Sequence, residues 1–384
     1  MRTSLKTTLL LLLWLTGLAL PAGAQGTPNI LWQATAPGSR ITSLAVSPDG
    51  RLAAGPGTNG VQIWQIADGS SVRTLVISSW VNQLAFSPDG KYLASGDGNK
   101  MVKLWRTNDW SLAYTITNLQ QGPPLAFSPD SSMLAVGKSQ IIELRNVADG
   151  SLIRSWQAAS FSSMGVSALA FSPDGTKLAS GVSFRSADIT LKVWSVATGQ
   201  LFWSVPTAQT NYGVGRIVFS PDGSSLATGS EYLDSGPMQL WSAADGSLLH
   251  TFPENVYCMA FSPDGLMLMS IGTNIVFRRV ADGALIQNYA IGGGSCVFTP
   301  DGHVFLRVGG GGTIFAAQVP LWITPVAQLD GNLVLNWTGG TGSCHLQERT
   351  NFMDAWQTIG DALTNQTVTI PIQYSNAFYR LIVP

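Results

Sequence analysis

Histidine, cysteine and aspartate are the side chains of this sequence whose chemistry would suit catalysis or metal binding. The three histidines are His250, His303 and His345, and none stands at metal-ligand spacing from another histidine or from a cysteine. The pattern therefore favours neither a zinc site nor a Ser-His-Asp triad. We predict a chain with no catalytic residue, no metal and no cofactor.

Aspartate recurs in one local context, a Ser-Pro-Asp-Gly corner or a close variant of it. The seven corner carboxylates are Asp49, Asp89, Asp130, Asp174, Asp222, Asp264 and Asp301. In such a corner proline presets its φ, glycine tolerates a positive φ, and the carboxylate accepts hydrogen bonds from its own turn. We therefore interpret these aspartates as structural residues that are spread over the fold, not as a convergent acid cluster.

The three cysteines are too few for a disulfide scaffold. Cys258 lies four residues before its corner serine, whereas Cys296 lies three residues before its corner threonine. Because side chains alternate along a strand, the two thiols are expected on opposite faces of equivalent strands. We therefore predict small buried residues, not a bridge, with Cys344 in the core of a separate C-terminal region.

The corners also define an internal repeat. Their starts lie about 37 to 48 residues apart, which is the period of a four-stranded propeller blade. The starts are Ser47, Ser87, Ser128, Ser172, Ser220, Ser262 and Thr299. An apolar "LAF" segment precedes the corner, and an "LASG"-like strand, a "VKLW"-like strand and an "ADGS"-like hairpin turn follow it. Each unit therefore predicts four strands.

The seven units resemble WD40-type β-propeller repeats over residues 29–320, through the combination "FSPDG…LASG…V.LW…G". This resemblance implies an all-β fold, a seven-bladed β-propeller, and a role in binding. The units depart from the family pattern because no Gly-His pair opens them and no Trp-Asp pair ends strand three. In units three and six, Leu144 and Phe277 are expected in place of the tryptophan. We therefore expect apolar packing between blades, without the buried hydrogen-bond network of the family.

Both ends of the repeat array need a separate interpretation. Unit seven offers only three strands, and residues 30–36 resemble an outer strand, so an N-terminal strand is predicted to close the ring beside residues 313–319. An unstructured leader is the alternative. Residues 326–384 leave the period and resemble the fibronectin-III-like modules that end many secreted bacterial proteins. This second resemblance implies a small C-terminal β-sandwich.

Residues 1–24 have the pattern of a secretory signal peptide, with Arg2 and Lys6 before an apolar run and small residues at Ala22 and Ala24. The apolar run is too short for a stable membrane span, although a retained anchor helix is the alternative. We predict export to the extracellular space, the periplasm or the cell envelope, with no membrane insertion after cleavage. The net charge of −1 gives no electrostatic argument for nucleic acid.

The long loops of units four and five suggest a binding surface. In a propeller, the loops between strands two and three and those between blades share one rim, and aromatic and charged residues on loops suit recognition. The candidate binding residues are Phe161, Phe184, Arg185, Asp188, Tyr212, Glu231, Tyr232 and Asp234. Ordinary variation in loop length is the competing interpretation.

Taken together, these patterns predict a monomeric, non-catalytic scaffold that binds a protein or a glycan through its loop rim. Two alternatives stay open. One is a propeller enzyme, either a hydrolase or lyase or a quinoprotein relative, and the other is a module for attachment to the cell envelope.

Overall fold

The computed structural model describes residues 27–35, 43–57, 59–159, 165–182, 190–208, 213–230, 236–254, 256–309 and 312–320. It also describes the backbone of seven short strands between residues 322 and 382. Strands β1–β28 form seven antiparallel sheets of four strands each. Each sheet is one blade of a propeller, and the all-β, seven-bladed fold predicted from the sequence is confirmed.

Successive strands of a blade run from the ring centre to its periphery. The strands of blades one to three are β2 (Ala45–Val46), β3 (Leu52–Gly57), β4 (Gly60–Gln65), β5 (Ser71–Val76), β6 (Val81–Phe86), β7 (Tyr92–Asp97), β8 (Val102–Arg106), β9 (Leu112–Ile116), β10 (Leu125–Phe127), β11 (Met133–Lys138), β12 (Ile141–Asn146) and β13 (Leu152–Gln157). Those of blades four to six are β14 (Val166–Phe171), β15 (Lys177–Val182), β16 (Thr190–Ser195), β17 (Leu201–Pro206), β18 (Arg216–Phe219), β19 (Ser225–Gly229), β20 (Met238–Ser242), β21 (Leu248–Phe252), β22 (Val256–Phe261), β23 (Met267–Gly272), β24 (Ile275–Arg279) and β25 (Leu285–Tyr289). Blade seven contains β26 (Cys296–Phe298), β27 (Val304–Val308), β28 (Thr313–Gln318) and β1 (Ile30–Thr35).

The first strand of each blade contacts the first strands of both neighbouring blades. These contacts run in order from β2 through β6, β10, β14, β18 and β22 to β26, and β26 contacts β2 in turn. The contacts therefore form a closed ring. In blade seven, β1 pairs antiparallel with β28, from Ile30 opposite Ala317 to Thr35 opposite Thr313.

The corner between the first two strands of a blade repeats one hydrogen-bond pattern. In blade one, the Ser47 hydroxyl donates to Asp49 Oδ1 at 2.5 Å and accepts the Leu52 N–H at 2.9 Å. Asp49 Oδ1 also accepts the Arg51 N–H at 3.1 Å, and Gly50 has a φ of 71°. The same Ser/Thr-to-Asp hydrogen bond forms in the other six blades. The structural role predicted for the corner aspartates is confirmed.

Neighbouring blades also interlock at their periphery. The turn before each outer strand carries a glycine with positive φ, and an aromatic ring from the preceding blade lies against that glycine in five seams. The pairs are Trp32 on Gly69, Tyr114 on Gly150, Trp156 on Gly199, Trp203 on Gly246 and Phe252 on Gly283. The Tyr114 hydroxyl also donates to the Val147 carbonyl at 2.8 Å across the seam. Because a Cβ on these glycines would meet the ring, the turn glycine is required by packing as well as by its φ.

The apolar core is divided among the seams between blades. Each of the seven clusters of buried apolar side chains in the described residues draws on two adjacent blades. This arrangement fits the expectation that packing between blades carries the stability. Three tryptophans nevertheless donate a buried hydrogen bond to strand two of their own blade: Trp105 to Ser95 at 3.1 Å, Trp194 to Ser180 at 2.8 Å, and Trp241 to Thr228 at 2.9 Å. Blades two, four and five therefore each keep one buried side-chain hydrogen bond in addition to the apolar packing expected between blades.

The residues that replace the missing tryptophans also differ from the sequence-based expectation. Trp105 pairs with Leu93, and the equivalent partners in blades three and six are Arg145 and Arg278, not Leu144 and Phe277. Counting three residues back from the recurring "ADG" turn gives the same two arginines. The hydrophobic pattern instead favours the preceding residues, Leu144 and Phe277. Their guanidinium groups donate to the carbonyls of Gly150 and Gly283, each at 2.9 Å, and pair with Glu143 and Glu254 respectively.

The strands after residue 320 form two further antiparallel sheets. In the first, β31 (Asn332–Thr338) pairs with β29 (Trp322–Ile323), β30 (Ala327–Leu329) and β34 (Thr367–Pro371). In the second, β32 (His345–Arg349) pairs with β33 (Gln357–Thr358) and β35 (Phe378–Ile382). All the secondary structure described after residue 320 is therefore β.

Candidate functional site

The antiparallel order gives the ring two different rims. The Ser-Pro-Asp-Gly corners and the turns between strands three and four lie at one end of the sheets, which we call the lower rim. The loops between strands two and three and the connections between blades lie at the other end, the upper rim. Loops positioned by a rigid scaffold are common sites of recognition, and the upper rim has the longer loops.

Trp80 is the most prominent aromatic side chain of the described upper rim. It lies in the connection between β5 and β6 and is 54% exposed. Its indole covers Gly98, in the loop after β7, and Gly122, in the connection that leads to β10. A Cβ added to Gly122 would stand 2.9 Å from Trp80 Cη2. The two glycines therefore leave room for the indole to lie close to both loops, and about half of the side chain faces solvent.

The loops beneath Trp80 are held by backbone hydrogen bonds. The Gly98 N–H donates to the Trp80 carbonyl at 2.9 Å, and the Gly122 N–H donates to the Asp97 carbonyl at 3.1 Å. The fully buried Asp97 carboxylate accepts the N–H groups of Asn99 and Met101 at 3.0 and 3.2 Å. A partner that contacts Trp80 would therefore meet a preorganised surface, which lowers the ordering cost of binding.

Charged and polar groups surround this aromatic surface. Lys103 Nζ lies 2.9 Å from Asp97 Oδ2, so the buried carboxylate has a counter-charge. Asn99, Lys100 and Gln121 are exposed on the same two loops that support the indole. An exposed tryptophan within a polar margin is a composition typical of interaction hot spots. We call Trp80, Gly98, Asn99, Lys100, Gln121 and Gly122 the Trp80 patch.

The eight binding residues predicted from the sequence lie outside the described residues. These are Phe161, Phe184, Arg185, Asp188, Tyr212, Glu231, Tyr232 and Asp234. The strands that flank their loops, β13–β20, end or begin at the upper rim, which the Trp80 patch shares. Sequence reasoning missed Trp80 because it weighted loop length. The available signal was a tryptophan just before an inner strand, together with glycines in the two loops that follow.

The corner carboxylates lie at the lower rim, away from the Trp80 patch. The hydrogen bond from the neighbouring serine is the main cause that holds the pKa of Asp49, Asp130, Asp174 and Asp222 below its usual value. Backbone N–H groups of the same corner add to this effect. A carboxylate that is stabilised as an anion by its own turn is a poor general acid at neutral pH.

The described residues contain no group of three or more His, Cys, Asp or Glu side chains that could hold a metal ion. His250 stacks beside Phe252 in blade five, with 5.8 Å between ring centroids, and His303 lies in blade seven. Cys258 and Cys296 are both buried free thiols, as predicted. A helix of sufficient length and apolar character to cross a membrane is absent from the part of the chain that the structure describes.

Comparison with known proteins supports the architecture. The family model described as "WD domain, G-beta repeat" matches residues 69–106, 150–195 and 246–274. A chain of the crystal structure of the Mitotic Checkpoint Complex is similar to this one, with a TM-score of 0.67 and 21% sequence identity. That likeness covers 78% of this chain and 94% of the other. No curated protein matches the sequence.

The sequence matches fall on blades two, four and six with parts of their neighbours. At 21% identity, the structural likeness shows the fold and nothing of the binding partner. The chain folds as a seven-bladed β-propeller, and three of its segments match the WD40 repeat model.

Proposed function

We propose that this protein is a non-catalytic interaction scaffold that binds a partner protein through its upper rim, with Trp80 as the anchor. The observation that carries the proposal is the half-exposed indole in close contact with Gly98 and Gly122, on loops held by backbone hydrogen bonds. Tryptophan is enriched among the few residues that dominate binding energy, and rigid support raises its contribution. WD40 propellers are typically protein-interaction scaffolds, which agrees with this role.

The proposal is tested by substituting Trp80→Ala in the full chain and comparing capture of partners from extracts and secretions of the native host. Phe202→Ala is the matched control, because Phe202 is 55% exposed but lies on outer strand β17, away from the rim. We expect Trp80→Ala to weaken capture at least about tenfold, as loss of a hot-spot residue does, and Phe202→Ala to leave it unchanged. Equal capture by both variants and the unsubstituted chain would exclude the Trp80 patch.

The flat indole face would also suit the apolar face of a sugar ring, so a glycan partner is an outcome that the same experiment distinguishes. Treating the extract with a protease before capture should abolish binding of a protein partner. Treating it with a glycosidase should abolish binding of a glycan. The eight predicted residues of blades four and five form a second candidate sector on the same rim. Joint alanine substitution of Arg185, Glu231, Tyr232 and Asp234 tests that sector separately.

The setting of this scaffold is also a proposal. The N-terminal sequence supports export after cleavage near Ala24, in the manner of secreted bacterial proteins, and a location outside the cytoplasm. We further propose that the protein is a monomer. N-terminal sequencing of the mature chain tests the cleavage. The two sheets after residue 320 support a fibronectin-III-like β-sandwich over residues 326–384, separate from a propeller at residues 29–320. Limited proteolysis that releases these two fragments intact would support this division.

Pairing of β1 with β28 supports the proposal that the N-terminal strand closes the ring and stabilises it. Without β1, β28 would be an open edge of blade seven. Trp32, within β1, also packs on Gly69 of blade one and donates its indole N–H to the Ile66 carbonyl at 2.5 Å. The strand would therefore join blade seven to blade one through both backbone and side chain.

A further inference from the structure

Three of the seven seams around the ring centre have the same side-chain-to-backbone hydrogen bond. The side chain four residues before one corner accepts the N–H of the residue three before the next corner along the ring. Ser43 Oγ accepts the Leu84 N–H at 3.1 Å between blades one and two, and Ser295 Oγ accepts the Leu44 N–H at 3.0 Å between blades seven and one. Between blades six and seven, the acceptor is Cys258 Sγ, which lies 3.1 Å from Cys296 N.

Cys258 therefore occupies a serine position, and Cys296 occupies a position that is otherwise filled by a large apolar residue. The six equivalents of Cys296 are Leu44, Leu84, Leu125, Leu169, Ile217 and Met259. The small Cys296 side chain leaves its sulfur next to the seam where the other blades place a bulky group. The seam between blades six and seven is the one in which both partners of this contact are cysteines.

The sequence correctly predicted that Cys258 and Cys296 point to opposite faces of equivalent strands. In a ring, however, this arrangement brings the two thiols together and does not keep them apart. Opposite faces of consecutive blades look at each other, so thiols on opposite faces of β22 and β26 enter the same seam. Both cysteines belong to one apolar cluster, with Phe277 and Phe298. Cys258 Sγ also lies 3.3 Å from the Cys296 carbonyl oxygen. Because Cys258 Sγ touches both the N–H and the carbonyl of Cys296, rotation of the two side chains is the movement that a bridge between them requires.

The surroundings of Cys258 favour its thiolate. The hydrogen bond from the Cys296 thiol is the largest cause that lowers the pKa of Cys258 to about 6, and the Arg216 charge and the Cys296 N–H add to it against burial. Arg216 reaches this seam from blade five, where its Nε donates to the Tyr257 carbonyl at 3.2 Å. Burial is the main cause that raises the pKa of Cys296 well above its usual value. Because both thiols are buried, exchange needs a local opening of this seam. Cys258, which has the lower pKa, is then the sulfur that begins the reaction.

We propose that Cys258 and Cys296 are the site of a reversible covalent cross-link, a disulfide that joins blade six to blade seven. The oxidant is a small-molecule disulfide of the glutathione class. The Cys258 thiolate attacks one sulfur of the oxidant, and the other sulfur leaves as a thiolate. The Cys296 sulfur, after losing its proton, attacks Cys258 Sγ and releases the second thiol. Two protein thiols are thereby oxidised, and one disulfide of the oxidant is reduced to two thiols.

The cross-link would act on the seam beside the blade that contains both β1 and β28. It would tie inner strands β22 and β26 across a seam that noncovalent contacts alone hold in the reduced chain. Cross-linking two points that are well separated along the chain reduces the freedom of the unfolded state. The oxidised ring is therefore the more stable form, and a reductant returns it to the form described here.

The experiment uses the full chain with Cys344→Ser, so that the pair provides its only thiols. The protein is incubated with excess oxidised glutathione, denatured, alkylated and measured by intact mass. We expect loss of both alkylation sites without a retained glutathione, a peptide that links Cys258 to Cys296, and a melting temperature higher on the order of 5 °C. Addition of dithiothreitol should reverse all three changes.

Two variants in the same background separate the cross-link from general effects of oxidation. Cys258→Ser supplies the serine acceptor that two other seams use, and Cys296→Leu restores the usual apolar residue, so both are expected to fold and to show no rise in melting temperature. The proposal is overturned if both thiols stay open to alkylation after prolonged exposure to the oxidant. It is also overturned if a stable mixed disulfide with glutathione accumulates in place of the internal one.

Discussion

The ring-over-glycine contacts at the periphery make a quantitative prediction for Gly246→Ala. Gly246 has a φ of 75° in the turn between β20 and β21, and an added Cβ would stand 2.8 Å from Cε3 of Trp203 in the preceding blade. A residue with a Cβ in the left-handed region costs about 1–2 kcal/mol. Displacing a packed ring adds about 1–3 kcal/mol. We therefore expect Gly246→Ala to lower the free energy of unfolding by about 2–5 kcal/mol.

Gly223→Ala is the matched control because it isolates the conformational cost. Gly223 belongs to the same blade and has a φ of 70°, but its added Cβ would meet only Pro173 Cδ, at 3.4 Å. Its expected cost is therefore the left-handed contribution alone, about 1–2 kcal/mol. Urea unfolding monitored by circular dichroism gives both free energies. The comparison requires that the m-value, the slope of the free energy against urea concentration, is the same for both variants.

A double-mutant cycle with Trp203→Ala tests the mechanism directly. Once the ring is removed, Gly246→Ala has nothing to displace, so its cost should fall to that of Gly223→Ala. The two substitutions should therefore be coupled by about 1–3 kcal/mol, which is the overpacking contribution. Equal costs for Gly246→Ala and Gly223→Ala, or additive effects in the cycle, would refute the role assigned to the ring.

Three further predictions concern other parts of the ring. Ser131 occupies a corner glycine position with a φ of 61°, and its hydroxyl accepts the Asp89 N–H at 2.9 Å. Ser131→Ala should therefore destabilise the chain by about 1 kcal/mol, whereas in Ser131→Gly the relief of backbone strain offsets the lost hydrogen bond. Equal urea midpoints for the two variants would contradict this reasoning. Deletion of residues 30–35 should lower the melting temperature on the order of 10 °C relative to a chain that starts at residue 27, because β28 loses its partner, and an unchanged melt would reject closure by β1. Five corner carboxyls have a lowered pKa when folded, so their contribution is present above the unfolded value of about 4 and is lost as pH falls through the folded values; they are Asp49, Asp89, Asp130, Asp174 and Asp222. Melting temperature should accordingly fall between pH 6 and pH 3, and Ser220→Ala, which removes the main cause at Asp222, should make that fall smaller; an equal fall in both proteins would argue against it.

The repeat made the blades predictable because each unit carries its own turn chemistry. The corner sequence specifies a serine–aspartate hydrogen bond and a left-handed glycine wherever it occurs, so the strands on either side follow from it. The hydrophobic pattern alone did not predict which residue takes the tryptophan position in blades three and six, because two strand registers fit it almost equally well. Arg145 and Arg278 take the tryptophan position because their guanidinium groups find turn carbonyls and glutamates, and only strand pairing reveals those partners.

The candidate site was harder to predict because it depends on contacts between units. Trp80 is prominent only because Gly98 and Gly122, from two other loops, come beneath it. Similarly, the positions of Cys258 and Cys296 along their strands predicted which face each thiol occupies. They did not predict that these two faces contact each other across a seam. Spacing within one repeat does not state which face meets which in a closed ring.

The pairing of β1 with β28 also determines how the ring would respond to tension. Ile30 at the start of β1 lies opposite Ala317 near the end of β28, so the two chain ends leave blade seven from the same side. A pull on these ends would load the pairs one after another, beginning at Ile30, and would not share the load among all of them. The propeller would therefore unzip at this strand under a modest force while the other six blades still hold their shape.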